Sequence, residues 1–474
     1  MSCKLDKWTI PQTEISFELE RGTIPSEMIC LGCAAKVNLV DTVYPALDIV
    51  RSRTSNLKYV NFQKREDSYY FLADKKDFTF RRIIHPLNEL LNPKLPAITQ
   101  ALKNNGPGGA ILLFNFTPQP KIEYFADLLT NLLVNLEDAQ TPITVGKGHT
   151  IQLARIPEET CMMADFIGHS GGDRYWGLVN NDTISNVDPM LPHSHKFAVA
   201  IALNNTLNDL FVYGITGGFI LYPSYDARDE AEIQSIRDAM KWYEEKFAGI
   251  GLEIRDQGPM KTNNKLIGAT ATGFSDRQIP LNTGLVPGQV IIATRPIGDL
   301  APLNEYLIRV SIGDDVEDIE KLRHHVIHTM LIPNVEAAMI IRDYLPPIGS
   351  EVNPERHITA TRDMSGPGLL ALEEIAEDSL CDINLDRIVW HDERIANIEV
   401  TNVTAGTNGA ILIAAMKGIG DEIIARLKEA GYDPWIVGTV GERNERPVIT
   451  IDRSLAKYDF LTRGKGFFRN SQFV

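Results

Sequence analysis

The ten residues from Thr361 to Leu370 read Thr-Arg-Asp-Met-Ser-Gly-Pro-Gly-Leu-Leu, and the rest of the chain can be interpreted around them. Apolar residues continue at helical spacing through Leu372 and Ile375, which predicts a loop that feeds a helix. Glycines let the backbone approach a ligand closely, and the first N–H groups of a helix attract an anion. A carboxylate just before such a turn can hold the cation that neutralises the anion. We therefore predict that Asp363 takes part in binding magnesium and phosphate.

A helix with several polar residues is predicted upstream, over residues 200–214. From Ala200 to Leu210 it reads Ala-Ile-Ala-Leu-Asn-Asn-Thr-Leu-Asn-Asp-Leu, and its small and apolar residues indicate that it is buried. Asparagines and an aspartate inside a buried helix are costly unless they face a ligand or cap another group. Asn205 and Asp209 are therefore candidate site residues.

A tight turn at Gly171-Gly172-Asp173 is predicted between two short strands, Phe166-Ile167 and Tyr175 to Val179, in a segment that ends at Asn181-Asp182-Thr183. An aspartate beside glycines is usually a turn residue. Aspartates at the ends of neighbouring strands, however, can also assemble a magnesium and nucleotide site, because Mg²⁺ prefers oxygen ligands and takes few protein groups. Asp173 and Asp182 are two further candidates.

Cys30-Leu31-Gly32-Cys33 forms a C-x-x-C pair that is followed by Lys36. Such a pair can be a redox dithiol, half of a zinc site, a nucleophile with its neighbour, or two incidental buried cysteines. A zinc site would need a second pair, and the sequence has none. Lys36 favours a reactive Cys33 thiolate, since a nearby ammonium lowers the pKa of a thiol.

Taken in order, these segments resemble selenophosphate synthetase (selenide, water dikinase), a family of the aminoimidazole ribonucleotide synthetase superfamily. The stretch around Asp363 is similar to the family signature Asp-Val-Thr-Gly-Phe-Gly-Leu-Leu, and the helix around Asp209 is similar to Asn-Ala-Leu-Ser-Asp-Ile. Cys33 and Lys36 keep the spacing of the family segment Gly-Cys-Gly-Cys-Lys. Segments 284–298 and 408–414 look like the first strand of the family's second domain and its late glycine turn.

The resemblance implies a role for each candidate residue. It implies three magnesium ligands, Asp173, Asp209 and Asp363. It implies three residues that contact ATP, Lys36, Asp182 and Asn205. Cys33 would handle a small selenium or sulfur donor and, with Lys36, carry the catalysis.

Several segments depart from the family pattern. Ala35 stands where the family has its second cysteine, and Asp299 and Leu300 replace small residues. The family's Gly-Gly-His-Thr phosphate loop is expected at 256–259, where this chain has Asp-Gln-Gly-Pro. Gly148-His149-Thr150 looks like that loop but lies in an insertion, so either the insertion supplies the loop or the likeness is accidental.

The fold class that the resemblance implies is α/β (α+β), with two domains and ATP between them. Strands of the first domain would pair across a two-fold axis to form the barrel of a homodimer. The predicted division is a mobile N-terminal segment with the Cys/Lys motif (1–52), an α/β insertion (53–155), an ATP-binding and dimerisation domain (156–286) and a C-terminal α/β domain (287–474).

Three local expectations accompany this division. Residues 1–27 are polar and are expected to form an extended or mobile lead-in. Residues 330–338, which include Asn334, look like one helix of the family's second domain. His324, His325 and His328 are expected to occupy a solvated or partly buried helix face rather than to bind a metal, because no carboxylate or third ligand stands at helical spacing.

Composition limits the possible partners. The 474 residues carry a net charge of −15, with a sequence pI of about 5.2, which argues against nucleic acid as the main partner because a phosphate backbone needs a basic surface. No apolar run approaches a membrane span, and the N-terminus lacks the apolar core of a signal peptide. The expected compartment is the cytoplasm, with the five scattered cysteines reduced.

The function that these expectations favour is ATP- and Mg²⁺-dependent transfer of a phosphoryl group to a selenide- or sulfide-type acceptor. Two alternatives stay open. The chain can be another ATP-dependent enzyme of the superfamily, which activates an amide and closes a ring, with Cys33 dispensable. It can also be a nucleotide-binding paralogue without turnover.

Overall fold

The computed structural model describes residues 8–22, 44–57, 60–62, 122–123, 126–127, 130, 143–145, 151–156, 175–184, 187–259, 267–280, 284–348, 350–366, 368–397, 407, 409–462, 467–468 and 470–474. Five of the sites singled out from the sequence lie outside the described residues: Cys30, Cys33, Lys36, Gly148-His149-Thr150 and Asp173.

Helices and strands alternate along most of the described chain. The helices are α1 (Gln12–Gly22), α2 (Tyr44–Arg53), α3 (Lys196–Phe211), α4 (Glu230–Lys246), α5 (Leu300–Ile312), α6 (Glu317–Met330), α7 (Val335–Asp343), α8 (Ala371–Ser379), α9 (Lys417–Glu429) and α10 (Asp459–Thr462). The strands are β1 (Val60–Phe62), β2 (Ile143–Val145), β3 (Ile151–Ile156), β4 (Tyr175–Ile184), β5 (Phe219–Tyr225), β6 (Leu252–Ile254), β7 (Ile267–Ser275), β8 (Val290–Ala293), β9 (Ala360–Asp363), β10 (Cys381–Leu385), β11 (Ile411–Ala415), β12 (Trp435–Arg443), β13 (Ile449–Ile451) and β14 (Ser471–Phe473).

The first large sheet has the strand order β3-β4-β7-β5-β6. Its neighbours are antiparallel except for β5 and β6, which are parallel. Burial alternates along β5 residue by residue, as expected for a strand with one face on a core. Helix α3 packs against β4 and β7 and also contacts α4.

The second large sheet has the order β14-β13-β10-β12-β8-β11-β9. Every residue of β8, β9 and β11 is buried, so these strands are covered on both faces. Strand β9 pairs antiparallel with β11, and Asp363 lies at its C-terminal end, opposite Ile411. The small parallel pair of β1 and β2 is separate from both large sheets.

Helix α3 lies between the first sheet and the second half of the chain. Every residue from Phe197 to Phe211 is buried. In addition to its contacts with β4 and β7, the helix contacts α6 and α7. The Thr361 hydroxyl of β9 donates to the carbonyl oxygen of Val212 at 2.6 Å, just beyond the end of α3. One helix therefore joins the two halves of the protein.

The α/β fold class expected from the sequence is confirmed by these mixed layers of helices and sheets. The loop predicted to feed a helix after Asp363 is present, as a short 3-10 turn at Gly368–Leu370 that leads into α8. The dimer barrel and the domain boundaries stay predictions. Strand β3 covers residues that we assigned mainly to the insertion, yet it pairs with β4 in the first sheet.

The expectation of an extended lead-in is wrong for residues 8–22. Gln12–Gly22 forms a helix, and Trp8, Ile15 and Leu19 are buried in the core. Lys196 at the start of α3 lies 3.3 Å from Glu14 and 3.2 Å from Glu18. The segment is ordered because its few apolar residues fall on one face and bury together.

The single helix expected over 330–338 is also wrong. Helix α6 ends at Met330 and α7 begins at Val335, with Pro333 between them. A proline disfavours helical conformation in the residue before it, so the break has a local cause. Its effect is to place Asn334 at the start of α7. Among the described residues, no helix combines the length and apolar composition needed to cross a membrane.

Candidate active site

One face of α3 contacts the first sheet through a pair of carboxylates and amides. Asn205 Nδ2 donates to Asp182 Oδ2 at 2.5 Å, and Asn180 Nδ2 donates to Asp209 Oδ2 at 2.7 Å. Asn205 and Asp209 are four residues apart on a helix, and Asn180 and Asp182 are two apart on β4, so each pair shares a face. The two elements therefore bring both carboxylates to one side of α3.

The position of Asp182 depends on a close approach of β7. Gly268 of β7 lies opposite Thr183, and a Cβ atom built on Gly268 would be 2.0 Å from the carbonyl oxygen of Asp182. Only glycine fits there, because no real Cβ comes so close to a backbone oxygen. The same carbonyl accepts a hydrogen bond from the Thr206 hydroxyl at 3.2 Å, which fastens β4 to α3.

The adjacent residue of α3, Asn208, connects to the second half of the chain. Its Nδ2 donates to Asp363 Oδ1 at 2.5 Å, and its Oδ1 accepts a hydrogen bond from Asn334 Nδ2 at 2.6 Å. Asp363 Oδ1 also accepts from the backbone N–H and the hydroxyl of Ser365, at 3.0 and 2.9 Å. Asp363 is thus held by its own turn and by α3 together.

Burial determines the electrostatics of this cluster. Asp209 and Asp363 are 1% and 4% exposed. Burial raises the pKa of Asp363 above its ordinary value, although the hydrogen bonds from Ser365 and Asn208 oppose that shift. Burial likewise raises the pKa of Tyr213 to about 12; Arg362 opposes the shift, and the negative charges of Asp209 and Asp363 add to it. The charges of Asp209 and Asp363 therefore both influence the pKa of Tyr213.

The donor set suits a magnesium ion bound together with a phosphate. Mg²⁺ is usually held by one or two carboxylates and completes its coordination with water and substrate phosphates. Asp209 and Asp363 supply carboxylate oxygens, and a cation beside Asp363 would offset the cost of burying its charge. Within the part of the chain that the structure describes, no three His, Cys, Asp or Glu side chains form a group that could hold a metal ion. Water and substrate phosphates would therefore have to supply most of the coordination of Mg²⁺.

The structure brings together four of the residues predicted from the sequence, Asp182, Asn205, Asp209 and Asp363. Cys33, Lys36 and Asp173 lie outside the described residues, so their roles stay predictions. The site also contains Asn180, Asn208, Asn334 and Ser365, which were not among the predicted site residues. Asn180 stands two residues before Asp182, and that period-two spacing was the available signal.

Two other predicted features have structural partners. In the loop at 256–259, Asp256 Oδ2 accepts from Arg237 Nε at 2.9 Å and from the Tyr225 hydroxyl at 3.2 Å. Of the three histidines on α6, His324 contacts Ser16 of α1 and His325 contacts His391. All three histidines lie on the helix Glu317–Met330, as the sequence predicted.

The geometry defines an α/β protein with two large sheets and a buried cluster of carboxylates and amides between its halves. No family model matches the chain. The chain is similar to a probable selenide, water dikinase of Caenorhabditis elegans, with 26% identity over 298 residues, covering 58% of this chain and 67% of that protein. The resemblance found from the motifs is therefore confirmed by a curated relative.

Solved structures of other proteins overlap with part of the backbone. The structure of tt0281 from Thermus thermophilus gives a TM-score of 0.44 at 14% identity, covering 57% of this chain and 84% of that chain. Thiamine-monophosphate kinase from Stenotrophomonas maltophilia gives 0.43 at 17% identity, with 63% and 97% covered. The hydrogenase maturation protein HypE of E. coli gives 0.42 at 17% identity, with 60% and 84% covered.

Proposed function

We propose that this chain is an ATP- and magnesium-dependent phosphotransferase that transfers a phosphoryl group to a selenide- or sulfide-type acceptor. The observation that supports this most is the joint placement of Asp182, Asp209 and Asp363 around α3. Phosphoryl transfer depends mainly on positioning and on neutralising the charge of the phosphates. A buried group of carboxylates, drawn from both halves of the protein, suits that task.

Each residue has a proposed part. Asp209 and Asp363, with Asp173, hold Mg²⁺, which neutralises phosphate charge when it is bound. Asp182 and Asn205 contact the nucleotide. Their mutual hydrogen bond orients both side chains before the nucleotide arrives.

The remaining parts belong to the N-terminal segment. Lys36 adds a positive charge at the ATP phosphates, and the Cys33 thiolate delivers or positions the selenium or sulfur donor. The similarity to a selenide, water dikinase supports this choice of acceptor. We also propose that the protein is a cytoplasmic homodimer, as the resemblance implies.

The test is phosphate release from ATP and Mg²⁺ in the presence of selenide, sulfide or no acceptor. The variants are Cys33→Ala and Asp363→Ala, and the matched control is Asp238→Asn. Asp238 is exposed on α4, away from the cluster, and accepts a hydrogen bond from Gln234 one helical turn earlier. We expect selenide-dependent release in the wild type and the control, and its loss in both variants.

Other results would redirect the proposal. Loss of release in Asp363→Ala alone would leave an ATP-dependent enzyme with a different acceptor. Tight binding of ATP without release under any of these conditions would contradict the proposed activity and favour a nucleotide-binding protein.

A further inference from the structure

Asp299 is a buried carboxylate outside the cluster described above. It precedes α5 at the capping position, yet its side chain makes no capping hydrogen bond to that helix. Instead, Asp299 Oδ1 forms an ion pair with Nε2 of His391, and Asp299 Oδ2 accepts a hydrogen bond from the Thr407 hydroxyl. Arg295 Nη2 lies 3.9 Å from the same Oδ2 atom. Burying an ionised carboxylate this completely costs free energy unless its partners offset the loss of water. These partners therefore also fix the position of the Asp299 side chain.

Thr407 joins Asp299 to the candidate site. Thr407 and Ser365 form a parallel β-bridge, and the N–H of Gly366 donates to the carbonyl oxygen of Thr407 at 2.9 Å. The Ser365 hydroxyl then donates to Asp363 Oδ1 at 2.9 Å. The path from Asp299 to Asp363 therefore runs through two hydroxyl groups and one backbone pair.

A second connection runs through Gly409. Its N–H donates to the Ser365 hydroxyl oxygen at 2.8 Å, and its carbonyl accepts from Asn334 Nδ2 at 2.5 Å. Asn334 also donates to Asn208, which contacts Asp363. The Thr407 and Gly409 backbone thus meets Asp363 from two directions.

His391 is fixed on the far side of Asp299. Its backbone N–H donates to the carbonyl oxygen of Ile297 at 3.2 Å, and its Nδ1 lies 3.2 Å from Nε2 of His325 on α6. Burial would raise the pKa of Asp299, but His391, Arg295 and the Thr407 hydroxyl together lower it below its ordinary value. Asp299 is consequently ionised at neutral pH.

We propose that Asp299 and His391 are positioning residues that hold Asp363 in its metal-binding orientation through Thr407 and Ser365. This inference rests on the proposed function, since it concerns the Mg²⁺ that Asp363 would bind. Partners of a metal ligand that do not touch the metal commonly change metal affinity by about 10–100-fold when they are replaced. Asp299 and His391 would be such indirect partners of the proposed metal ligand Asp363.

The experiment measures how the unfolding temperature rises with Mg²⁺ at a fixed ATP concentration. The Mg²⁺ concentration that gives half of the full rise is the Mg²⁺ midpoint, and it is compared between variants. The variants are Asp299→Asn and Thr407→Val, which remove the charge and the hydroxyl donor. Thr407→Ser keeps the hydroxyl. Asp392→Asn is the control, because Asp392 is adjacent to His391 but pairs with Arg394 at 2.7 Å.

We expect the Mg²⁺ midpoint to rise about tenfold or more in Asp299→Asn and Thr407→Val. The midpoints of Thr407→Ser and Asp392→Asn should stay within about twofold of the wild-type value. If Asp299→Asn does not fold, the comparison of Thr407→Val with Thr407→Ser decides. Unchanged Mg²⁺ midpoints in folded variants, even with lower unfolding temperatures, would show a merely structural role and overturn this inference alone. A wild type that does not respond to Mg²⁺ and ATP would overturn the proposed function, and the inference with it.

Discussion

Asn208 donates a hydrogen bond of 2.5 Å to Asp363, a residue 155 positions later in the chain. Asn208 lies on a helix packed against the first sheet, and Asp363 ends a strand of the second. This single contact links the two halves at the candidate site. Asn334 donates to the same Asn208 side chain, so a change at Asn208 also removes the partner of Asn334.

We expect Asn208→Leu to lower the free energy of unfolding by about 1–3 kcal/mol. The substitution removes the donor to Asp363 and the acceptor for the Asn334 amide inside the core. Urea denaturation measures the change. Gln234→Leu on the exposed face of α4 is the control and should stay within about 0.5 kcal/mol of the wild type. Equal stability of Asn208→Leu and the wild type would mean that the cluster contributes nothing to the fold.

Asp363→Asn should stabilise the protein in the absence of ligands while weakening its response to Mg²⁺ and ATP. The pKa of Asp363 is raised in the folded state by burial, so its ionised form destabilises the fold at every pH above that raised value. The destabilisation is relieved as pH falls through the raised pKa. Urea denaturation at pH 7 should therefore show a more stable variant, and the difference should shrink as the medium becomes acidic. A less stable Asp363→Asn at pH 7 would contradict this account.

His195 makes stability depend on pH at the start of α3. Its Nδ1 accepts a hydrogen bond from the N–H of Phe197 at 3.1 Å, and burial lowers its pKa from 6.5 to about 4. The unfolded chain therefore takes up a proton below pH 6.5 that the folded protein does not, and stability is lost between pH 6.5 and about 4.

His195→Asn keeps a capping acceptor that does not titrate, so the loss of stability over this pH range should shrink by at most roughly 3 kcal/mol. Chemical denaturation at pH 7, 5.5 and 4 measures it. His357 also accepts a backbone N–H through Nδ1, from Asn353 at 2.9 Å, but in a more exposed turn. His357→Asn should alter the pH profile less. An identical profile for His195→Asn and the wild type would show that His195 takes up its proton in the folded protein.

Gly409→Ala should lower the free energy of unfolding by about 1–3 kcal/mol. Gly409 has φ of +95°, and a Cβ there would be 2.6 Å from Arg295 Nη2. Gly418→Ala is the matched control at an exposed position of α9, where nothing lies within 4 Å of the added atom. It should stabilise the protein by roughly 0.5–1 kcal/mol, because alanine favours a helix over glycine. Thermal unfolding that moves in the same direction for both variants would argue against strain at Gly409.

Much of the fold could be predicted because the deciding signals are local. The amphipathic pattern of α4 gives its length, and Asp229, which accepts a hydrogen bond from the N–H of Glu232, marks its start. Asp363 was placed correctly before a glycine turn and a helix, because that pattern is contained within a few residues. The break between α6 and α7 has an equally local signal in Pro333, although the family resemblance implied one helix there.

The partners within the site could not be predicted in the same way. Asn334 meets Asn208 across 126 residues of sequence, and no local pattern indicates such a contact. Asn204 illustrates the same limit, because its polar side chain has structural partners: Tyr243 donates to it at 2.7 Å, and it donates to the Met330 carbonyl. The density of asparagine in α3 indicated that polar partners exist, but not which residues they are.

The burial of α3 from both sides also bears on how the protein folds during synthesis. When the ribosome has completed only the first sheet, Asn204 and Asn208 have not yet met Met330 and Asp363. The nascent first half would then carry a helix with an exposed apolar face containing amides, until about 90 further residues have been made after β7 ends at Ser275. Closing so long a loop is slow compared with local helix formation. The candidate site therefore cannot form before residue 363 has been made, and a nascent chain that stalls earlier is exposed to aggregation through α3.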